Sequence, residues 1–215
     1  GSDTVPGTYE DLELADLVIL VGSNLVWCHP VLAQRLAAAK EARPEMKIVL
    51  VDPRRTMTAD LADLHLAIRP DSDTALFNGL LGILNHPGCL DNRPNQLFWN
   101  SPRLDRGFIE NHTSGFEEAL AAAGCPDLDE IARATGLNVR ELSEFYRLFL
   151  GNEKTVTVYS QGVNQSEIGT DKVNSIINCH LATGRIGKPG TGPFSVTGQP
   201  NAMGGREVGG LAHML

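Results

Sequence analysis

The sequence predicts an α/β fold of three layers, a Rossmann-like α/β/α domain with a mainly parallel sheet and a helical insert. Four short apolar runs alternate along the chain with segments of helical periodicity, which is the order of an open parallel sheet with crossover helices. Each run is apolar at consecutive positions, as strands are when helices cover both faces of the sheet. The four predicted strands are Asp16–Val21, Lys47–Val51, Leu64–Ile68 and Lys154–Tyr159.

Three helices are predicted beside these strands, because apolar residues recur there at helical spacing. They cover about residues 30–43, 74–84 and 171–183. Pro30 suits the first position of the first helix, since proline lacks the N–H that a helix leaves unpaired there.

The stretch from about 104 to 150 is predicted to be a helical insert. Its last helix has the clearest start signal, because Asn138 can act as N-cap with Glu141 three residues on. One apolar face of this helix consists of Leu142, Phe145, Tyr146 and Phe149. No polar cluster stands out in the insert, so we expect it to serve as packing.

Two segments are expected to be irregular. Residues 87–103 resemble a surface loop. Residues 187–205 are so dense in Gly and Pro that we expect neither helix nor strand. Structureless stretches longer than about 12–15 residues are usually functional or disordered. Because Phe194 and Met203 are apolar anchors, we expect 187–205 to be held in place as an active-site loop.

Composition indicates a folded soluble protein and excludes some partners. With 42% hydrophobic and 20% charged residues, the 215-residue chain can build a substantial core, which we interpret as a single domain. The formal net charge is −8 and the basic residues are scattered, which argues against nucleic acid as a partner. No apolar run approaches the roughly 18 residues of a membrane span.

The four cysteines and six histidines do not predict a metal site within the chain. No two cysteines have the spacing of about two to four residues that zinc or iron–sulfur sites use, so thiols in a reducing compartment are the simpler interpretation. The chain begins Gly1-Ser2-Asp3 without a basic and apolar leader, from which we expect either an excised fragment or a processed chain.

Polar stretches follow the four predicted strands. Ligands of open parallel sheets bind at the carboxyl ends of the strands, so we expect a binding site where these stretches meet. A few backbone N–H groups and arginines suffice there for an anionic cofactor, even in an acidic chain. The stretches are Gly22-Ser23-Asn24, Asp52-Pro53-Arg54-Arg55, Asp71-Ser72-Asp73 and Gln161-Gly162-Val163-Asn164-Gln165.

The first two stretches suit a phosphate and a ribose. The small residues at 22–24 precede a helix and let a phosphate approach backbone N–H groups. Asp52 can accept hydrogen bonds from ribose hydroxyls, while Arg54 and Arg55 can clamp a phosphate. Simple polar turns are the alternative at both places. A nicotinamide- or flavin-binding domain is disfavoured, because the glycine fingerprint GxGxxG is absent.

The next two stretches suit a heterocycle. Asp71 or Asp73 can read the N1–H and N2–H₂ donors of guanine, while the other caps the following helix. Gln161, Asn164 and Gln165 bring amide groups that match the edge of a ring system. A polar turn is the alternative for the second of these stretches.

The last candidate residues are Gln199 and Arg206. Arg206 stands among small residues, where a guanidinium can face a cavity and hold a small planar oxyanion. A surface ion pair with Glu207 is the alternative.

At these motifs the chain resembles the molybdopterin oxidoreductases of the dimethyl sulfoxide reductase superfamily, and within it the nitrate reductases. The similar segments read VGSNLVWCHPVL, VDPRRT with RPDSDTALFNG, and the long run from QGVNQ to GREVGG. The segment GQPNAMGGREVGG resembles that of the assimilatory, cytoplasmic nitrate reductases more than that of the periplasmic type.

The resemblance implies the cofactor and the roles of the candidate residues. It implies molybdenum bis(molybdopterin guanine dinucleotide), a [4Fe-4S] cluster in an N-terminal region, nitrate as substrate, and an electron donor protein or reductase domain. It implies that the first three polar stretches contact one guanine dinucleotide. Gln161 and Gln165 would lie near the pterin, while Gln199 and Arg206 would line the substrate funnel.

The chain departs from the family pattern in what it lacks. The cluster cysteines and the molybdenum-ligating cysteine are expected before Gly1, and the C-terminal domain beyond the chain, while Cys28 stands in the wrong motif to ligate the metal. The 215 residues alone are therefore not expected to reduce nitrate. The alternative is a non-catalytic relative within an electron-transfer complex, although the retained Arg206 and Gln199 favour a true active site.

Overall fold

A computed structural model describes residues 7–90 and 103–197, and its centre is a five-stranded parallel sheet. The strand order is β3-β2-β1-β4-β5, and all four pairings are parallel. The α/β fold class and the parallel sheet are therefore confirmed. The strands are β1 (Leu17–Val21), β2 (Lys47–Val51), β3 (Leu64–Leu66), β4 (Thr155–Tyr159) and β5 (Gly192–Ser195).

The register of the sheet brings the strand ends to one level. Val21 at the end of β1 lies opposite Val51 of β2 and Tyr159 of β4. Every residue of β1 is buried, as expected for a strand with helices on both faces. The third strand is shorter than predicted, because its ladder with β2 ends at Leu66. The polar stretches after these strands consequently start from one edge of the sheet.

Helices cover both faces of the sheet and complete the three layers. Leu17, Ile19 and Val21 belong to a core shared with α4, α7, α8 and α10, whereas Val18 and Leu20 belong to one shared with α1 and α3. None of the helices in the described ranges has the length and apolar character to cross a bilayer. The helices are α1 (Tyr9–Leu14), α2 (Leu25–Cys28), α3 (Pro30–Ala42), α4 (Asp73–Asn85), α5 (Arg106–His112), α6 (Phe116–Ala123), α7 (Leu128–Thr135), α8 (Val139–Gly151), α9 (Gln161–Asn164) and α10 (Gly169–Ala182), with 3-10 turns at Met57–Leu61 and Pro87–Leu90.

The helices α5 to α8 separate α4 from β4, where the insert was predicted. The Asn138 side chain accepts a hydrogen bond from the N–H of Glu141, and Glu141 in turn accepts one from the N–H of Asn138. This capping box confirms the predicted start of α8. The predicted apolar face is buried, and the Tyr146 hydroxyl donates to the carbonyl of Leu76 on α4 at 2.8 Å. The insert thus packs against the sheet's own helix layer.

The prediction that 187–205 contains no strand was wrong, because β5 lies within it. Among the described residues, this strand is at the edge of the sheet and pairs only with β4. An edge position tolerates Pro193, since one side of the strand needs no ladder bonds. Phe194 and Val196 are buried and fasten the segment to the core. Residues 198–205 lie outside the described part of the chain.

Candidate functional site

A cavity of about 350 Å³ opens at the edge where the strands end. Residues that follow β1, β2, β3 and β4 all contribute to its wall, so the prediction that the polar stretches meet at one edge is confirmed. The predicted residues that line it are Gly22, Asn24, Asp52, Pro53, Arg54, Asp71, Asp73, Gln161 and Gly162.

The remaining predicted residues lie elsewhere. Ser23 is buried and does not line the cavity, and the guanidinium of Arg55 is 2.9 Å from Asp60 at the surface. Three more do not line the cavity, namely Ser72, Asn164 and Gln165. Gln199 and Arg206 fall outside the described residues.

The turns after β1 and β4 touch through two glycines. Gly162 donates its N–H to the carbonyl of Gly22 at 3.1 Å. A Cβ on Gly22 would lie 2.8 Å from the carbonyl carbon of Gly162, and a Cβ on Gly162 would lie 2.7 Å from Cα of Gly22. Gly22 also has a φ of +53°, which disfavours any side chain. Only glycine at both positions lets the two backbones form this part of the cavity floor.

Asp52 fixes the turn after β2. It is 4% exposed, and its carboxylate accepts the N–H of Arg54 at 2.8 Å. The Arg54 guanidinium is 3.9 Å from the same carboxylate and is largely exposed. This turn therefore presents a buried carboxylate and an exposed cation to the same cavity.

The turn after β3 differs from the prediction that an aspartate caps the next helix. Ser72 is the N-cap residue of α4, and no side chain caps it by a hydrogen bond. The Ser72 hydroxyl instead donates to the carbonyl of Arg69. Asp71 has a φ of +67°, and it alone among non-glycine residues of the described ranges lies in the left-handed region. Both aspartates are thus left to face the cavity rather than the helix end.

Lys172 on α10 completes the cavity, and the sequence analysis missed it. Its Nζ lies 2.6 Å from a carboxylate oxygen of Asp71 and 3.2 Å from one of Asp73. Lys172 shares the buried face of α10 with Ser175, Ile176 and Cys179. A lysine at helical spacing with apolar core residues is the signal that could have found it.

The electrostatics of this cluster follow from burial and pairing. Burial of Asp73 raises the pKa of its carboxyl, and the attraction to Lys172 only partly offsets this. For Lys172, burial disfavours the charged ammonium, but the bonds to Asp71 and Asp73 outweigh it and raise the pKa. The lysine is therefore charged at neutral pH.

The turn after β4 is a short helix rather than the plain polar turn considered as an alternative. α9 starts after Ser160, whose N–H donates to the carbonyl of Val21. Other cavity residues that the sequence analysis did not single out are Cys28, Val51, Ile68, Arg69, Pro70 and Ser160. In the described part of the chain, no three His, Cys, Asp or Glu side chains are grouped so as to hold a metal ion.

Comparison with known proteins assigns the family. The model of the molybdopterin oxidoreductase family matches residues 4–214, which is nearly the whole chain. The chain belongs to the molybdopterin oxidoreductase family. Membership implies a molybdenum–pterin cofactor.

Similar curated proteins include several nitrate reductases. Over its full length the chain is 50% identical to a nitrate reductase of Klebsiella oxytoca, 49% to one of Shewanella frigidimarina and 45% to one of Synechocystis. It covers 23%, 22% and 28% of those proteins, so it spans about a quarter of the relatives' length.

A solved structure supports the fold. Acetylene hydratase from Pelobacter acetylenicus superposes with a TM-score of 0.52 at 23% sequence identity, over 81% of this chain and 23% of that protein.

The residues of the cavity fit a molybdenum–pterin cofactor. The floor at Gly22 and Gly162 is bare backbone, where a Cβ on either residue would collide. Its wall combines the buried carboxylates of Asp52 and Asp73 with the cations Arg54 and Lys172. Carboxylates match hydroxyl and ring N–H donors, and cations match phosphate oxygens. This donor set therefore fits the cofactor that the family implies.

Proposed function

We propose that residues 1–215 form one molybdopterin guanine dinucleotide-binding domain of a molybdenum-dependent nitrate reductase. The single observation that carries this proposal is the cavity lined by the ends of four parallel strands. Within the proposed domain, residues of about 104–150 are an insert, and the segment 187–205, which includes β5, would contribute to the active site.

Each turn would hold a different part of the dinucleotide. Asp71 and Asp73 would accept the N1–H and N2–H₂ of guanine, and Asp52 the ribose hydroxyls. The phosphates would lie against the turn at 22–24, with Arg54 as a cation. The residues proposed for the cofactor are Gly22, Ser23, Asn24, Asp52, Pro53, Arg54, Arg55, Asp71, Ser72, Asp73, Gln161, Gly162, Asn164 and Gln165.

Nitrate would reach the cofactor beside Gln199 and Arg206. The Arg206 guanidinium matches a planar oxyanion and would orient it. When bound, the molybdenum–pterin group supplies the chemistry that converts nitrate, two protons and two electrons into nitrite and water. The relatives of 45–50% identity are named nitrate reductases, which favours this substrate over the formate of relatives at 31% and 32%.

Other components of the enzyme would lie outside these residues. The second guanine dinucleotide, the molybdenum-ligating cysteine and the [4Fe-4S] cluster would be held by further segments. Electrons would come from a donor protein or reductase domain. We propose a cytoplasmic location, supported by the similarity of the GQPNAMGGREVGG segment to assimilatory enzymes.

The test uses the whole protein in which this chain occurs, purified from cells that make the pterin. We expect molybdenum, GMP released by acid hydrolysis, and nitrate reduction with reduced methyl viologen. Replacing Arg206 by Ala should lower nitrate turnover while the molybdenum content stays normal, and Arg140→Ala on the exposed face of α8 is the matched control.

Three results would contradict parts of the proposal. Protein without bound GMP contradicts the dinucleotide site. Protein with the cofactor but without nitrate reduction indicates the non-catalytic relative. Unchanged nitrate kinetics in Arg206→Ala removes the role of that arginine.

A further inference from the structure

We infer that Lys172 is a positioning residue that makes this cavity selective for guanine, by holding the carboxylates of Asp71 and Asp73 ready to accept hydrogen bonds. The inference rests on the proposed function and adds the residue that sets its base specificity. Lys172 belongs to none of the polar stretches that follow the strands. It lies on helix α10 and reaches the cavity from there.

The geometry joins one ammonium to two carboxylates. Lys172 Nζ is 2.6 Å from Asp71 and 3.2 Å from Asp73, while its side chain is only 2% exposed. The Asp73 side chain is buried, whereas that of Asp71 is 68% exposed at the rim. Each aspartate keeps a second oxygen that this contact does not use. The ammonium therefore holds both carboxylates, and the two aspartates line the cavity together with it.

The charge balance explains why a cation is needed for guanine. An ionised carboxylate only accepts hydrogen bonds, which suits the N1–H and N2–H₂ of guanine. Two neighbouring carboxylates repel each other, and without a cation one of them takes up a proton. A protonated carboxyl would present an O–H donor to the donor edge of the base. When Lys172 and both aspartates are ionised, the cluster carries one formal negative charge.

A structural role alone explains Lys172 poorly. The lysine lies in the first turns of α10, at the end where the helix dipole disfavours a cation. Burying an ion pair usually contributes little to stability compared with apolar residues of similar size. Asp71 is in addition held at a φ of +67°, a conformation that is costly and that clusters at functional sites. Recognition of a base by this cluster would explain the cation near the helix start, the buried ion pair and the positive φ of Asp71.

The experiment compares GMP with IMP, which lacks only the N2 amine. The whole protein is made in cells without molybdopterin, and binding of each nucleotide is measured by equilibrium dialysis. We expect the wild type to bind GMP about tenfold more tightly than IMP, as for a lost hydrogen bond to a charged group. Lys172→Met should reduce this ratio toward one, while Lys172→Arg should retain most of it because the charge remains.

Control variants separate base reading from folding. Lys154→Met is the matched control and should keep the wild-type ratio. Lys154 is exposed and precedes β4, so it lies at the amino ends of the strands, whereas the cavity lies at their carboxyl ends. A merely structural role of Lys172 would weaken GMP and IMP equally and leave the ratio unchanged. If Lys172→Met does not fold, Asp71→Asn at the exposed rim replaces it, and its ratio should fall as well.

The failures can be told apart. A wild-type protein that binds no GMP contradicts the proposed function itself. A wild type that binds GMP and IMP equally, or a Lys172→Met or Asp71→Asn variant that keeps the wild-type ratio, overturns the role of Lys172 while the dinucleotide site stands.

Discussion

Two buried basic residues on α10 differ in charge state, and the groups around them strengthen this difference. Lys172 meets two carboxylates and is charged. His180 is fully buried, and its Nε2 lies 2.8 Å from the hydroxyl of Thr157 in β4. Burial and, to a smaller extent, the nearby Arg185 lower the pKa of His180 to about 3. The surroundings of each residue therefore reinforce the difference in charge that the ordinary pKa values of lysine and histidine already favour at neutral pH.

The neutral His180 should make stability depend on pH. The unfolded chain binds a proton at His180 below a pKa of 6.5, whereas the folded protein does not until about 3. Since the unfolded state binds more protons in this window, stability is complete above it and falls as the pH decreases. We expect a loss of about 2 kcal/mol between pH 7 and pH 5, measured by urea unfolding.

The variant His180→Gln should remove this part of the pH dependence. Its stability at one pH can differ from that of the wild type, so the comparison is between the slopes. His112→Gln, at an exposed position on α5, should keep the wild-type slope. A wild-type slope in His180→Gln would show that other groups cause the pH dependence.

At the residue scale the sequence predicted those site residues whose signal is local. Asp52 follows an apolar run directly, Asp71 and Asp73 follow one within a few residues, and all three line the cavity. Lys172 could not be assigned in this way, because it is 101 residues from Asp71 and lies inside a helical pattern. Arg55 was predicted with Arg54, but only the fold decides which of two adjacent side chains faces the cavity.

At the scale of elements, the contact between the turns after β1 and β4 should be intolerant of substitution. Gly22→Ala meets both an unfavourable φ and a backbone 2.8 Å away, so we expect it to destabilise the protein by about 3 kcal/mol or more. Urea unfolding measures this change.

Two other glycines distinguish the effect of a positive φ from the effect of a close backbone contact. Gly115 has a φ of +74° in the left-handed region, and a Cβ there would have no neighbour nearer than 3.9 Å, so Gly115→Ala should cost only the backbone strain of about 1–2 kcal/mol. Gly151, in the last turn of α8, has neither restriction, and Gly151→Ala should be neutral or stabilising by up to about 1 kcal/mol. Equal effects at Gly22 and Gly115 would mean that the contact with Gly162 is unimportant.

The elements themselves were predictable where periodicity and capping agree. α8 begins at its capping box and buries its predicted apolar face. β5 was missed because its Gly and Pro content is unfavourable for a strand in isolation. Pairing with β4 and burial of Phe194 supply the stability that local propensity lacks.

At the scale of the whole molecule, the strand order places the cavity. β2 and β4 flank β1, so the chain leaves β1 toward one side of the sheet and returns on the other. Such a switch in direction leaves a crevice at the carboxyl ends of the two strands. Gly22 and Gly162 follow these two strands and meet in that crevice.

Amide hydrogen exchange should show that the centre of the sheet is more stable than the exposed helices of the insert. β1 is paired on both sides and completely buried, whereas α6 has no buried residue. We expect the amides of β1 to exchange at least about a hundredfold more slowly than those of α6 in exchange monitored by mass spectrometry. Equal protection of α6 and β1 would contradict the view that the sheet is the most stable part of the fold.

The sequence by itself determined the alternation of strands and helices, the position of the insert, and the polar character of each strand end. These features depend on residues a few positions apart, so periodicity, capping and turn chemistry reveal them. The tertiary structure decided the strand order, the strand at the Gly- and Pro-rich segment, the meeting of Gly22 with Gly162, and the pairing of Lys172 with Asp71 and Asp73. These contacts join distant parts of the chain, and they form only when the packing of helices on the sheet brings their surfaces together.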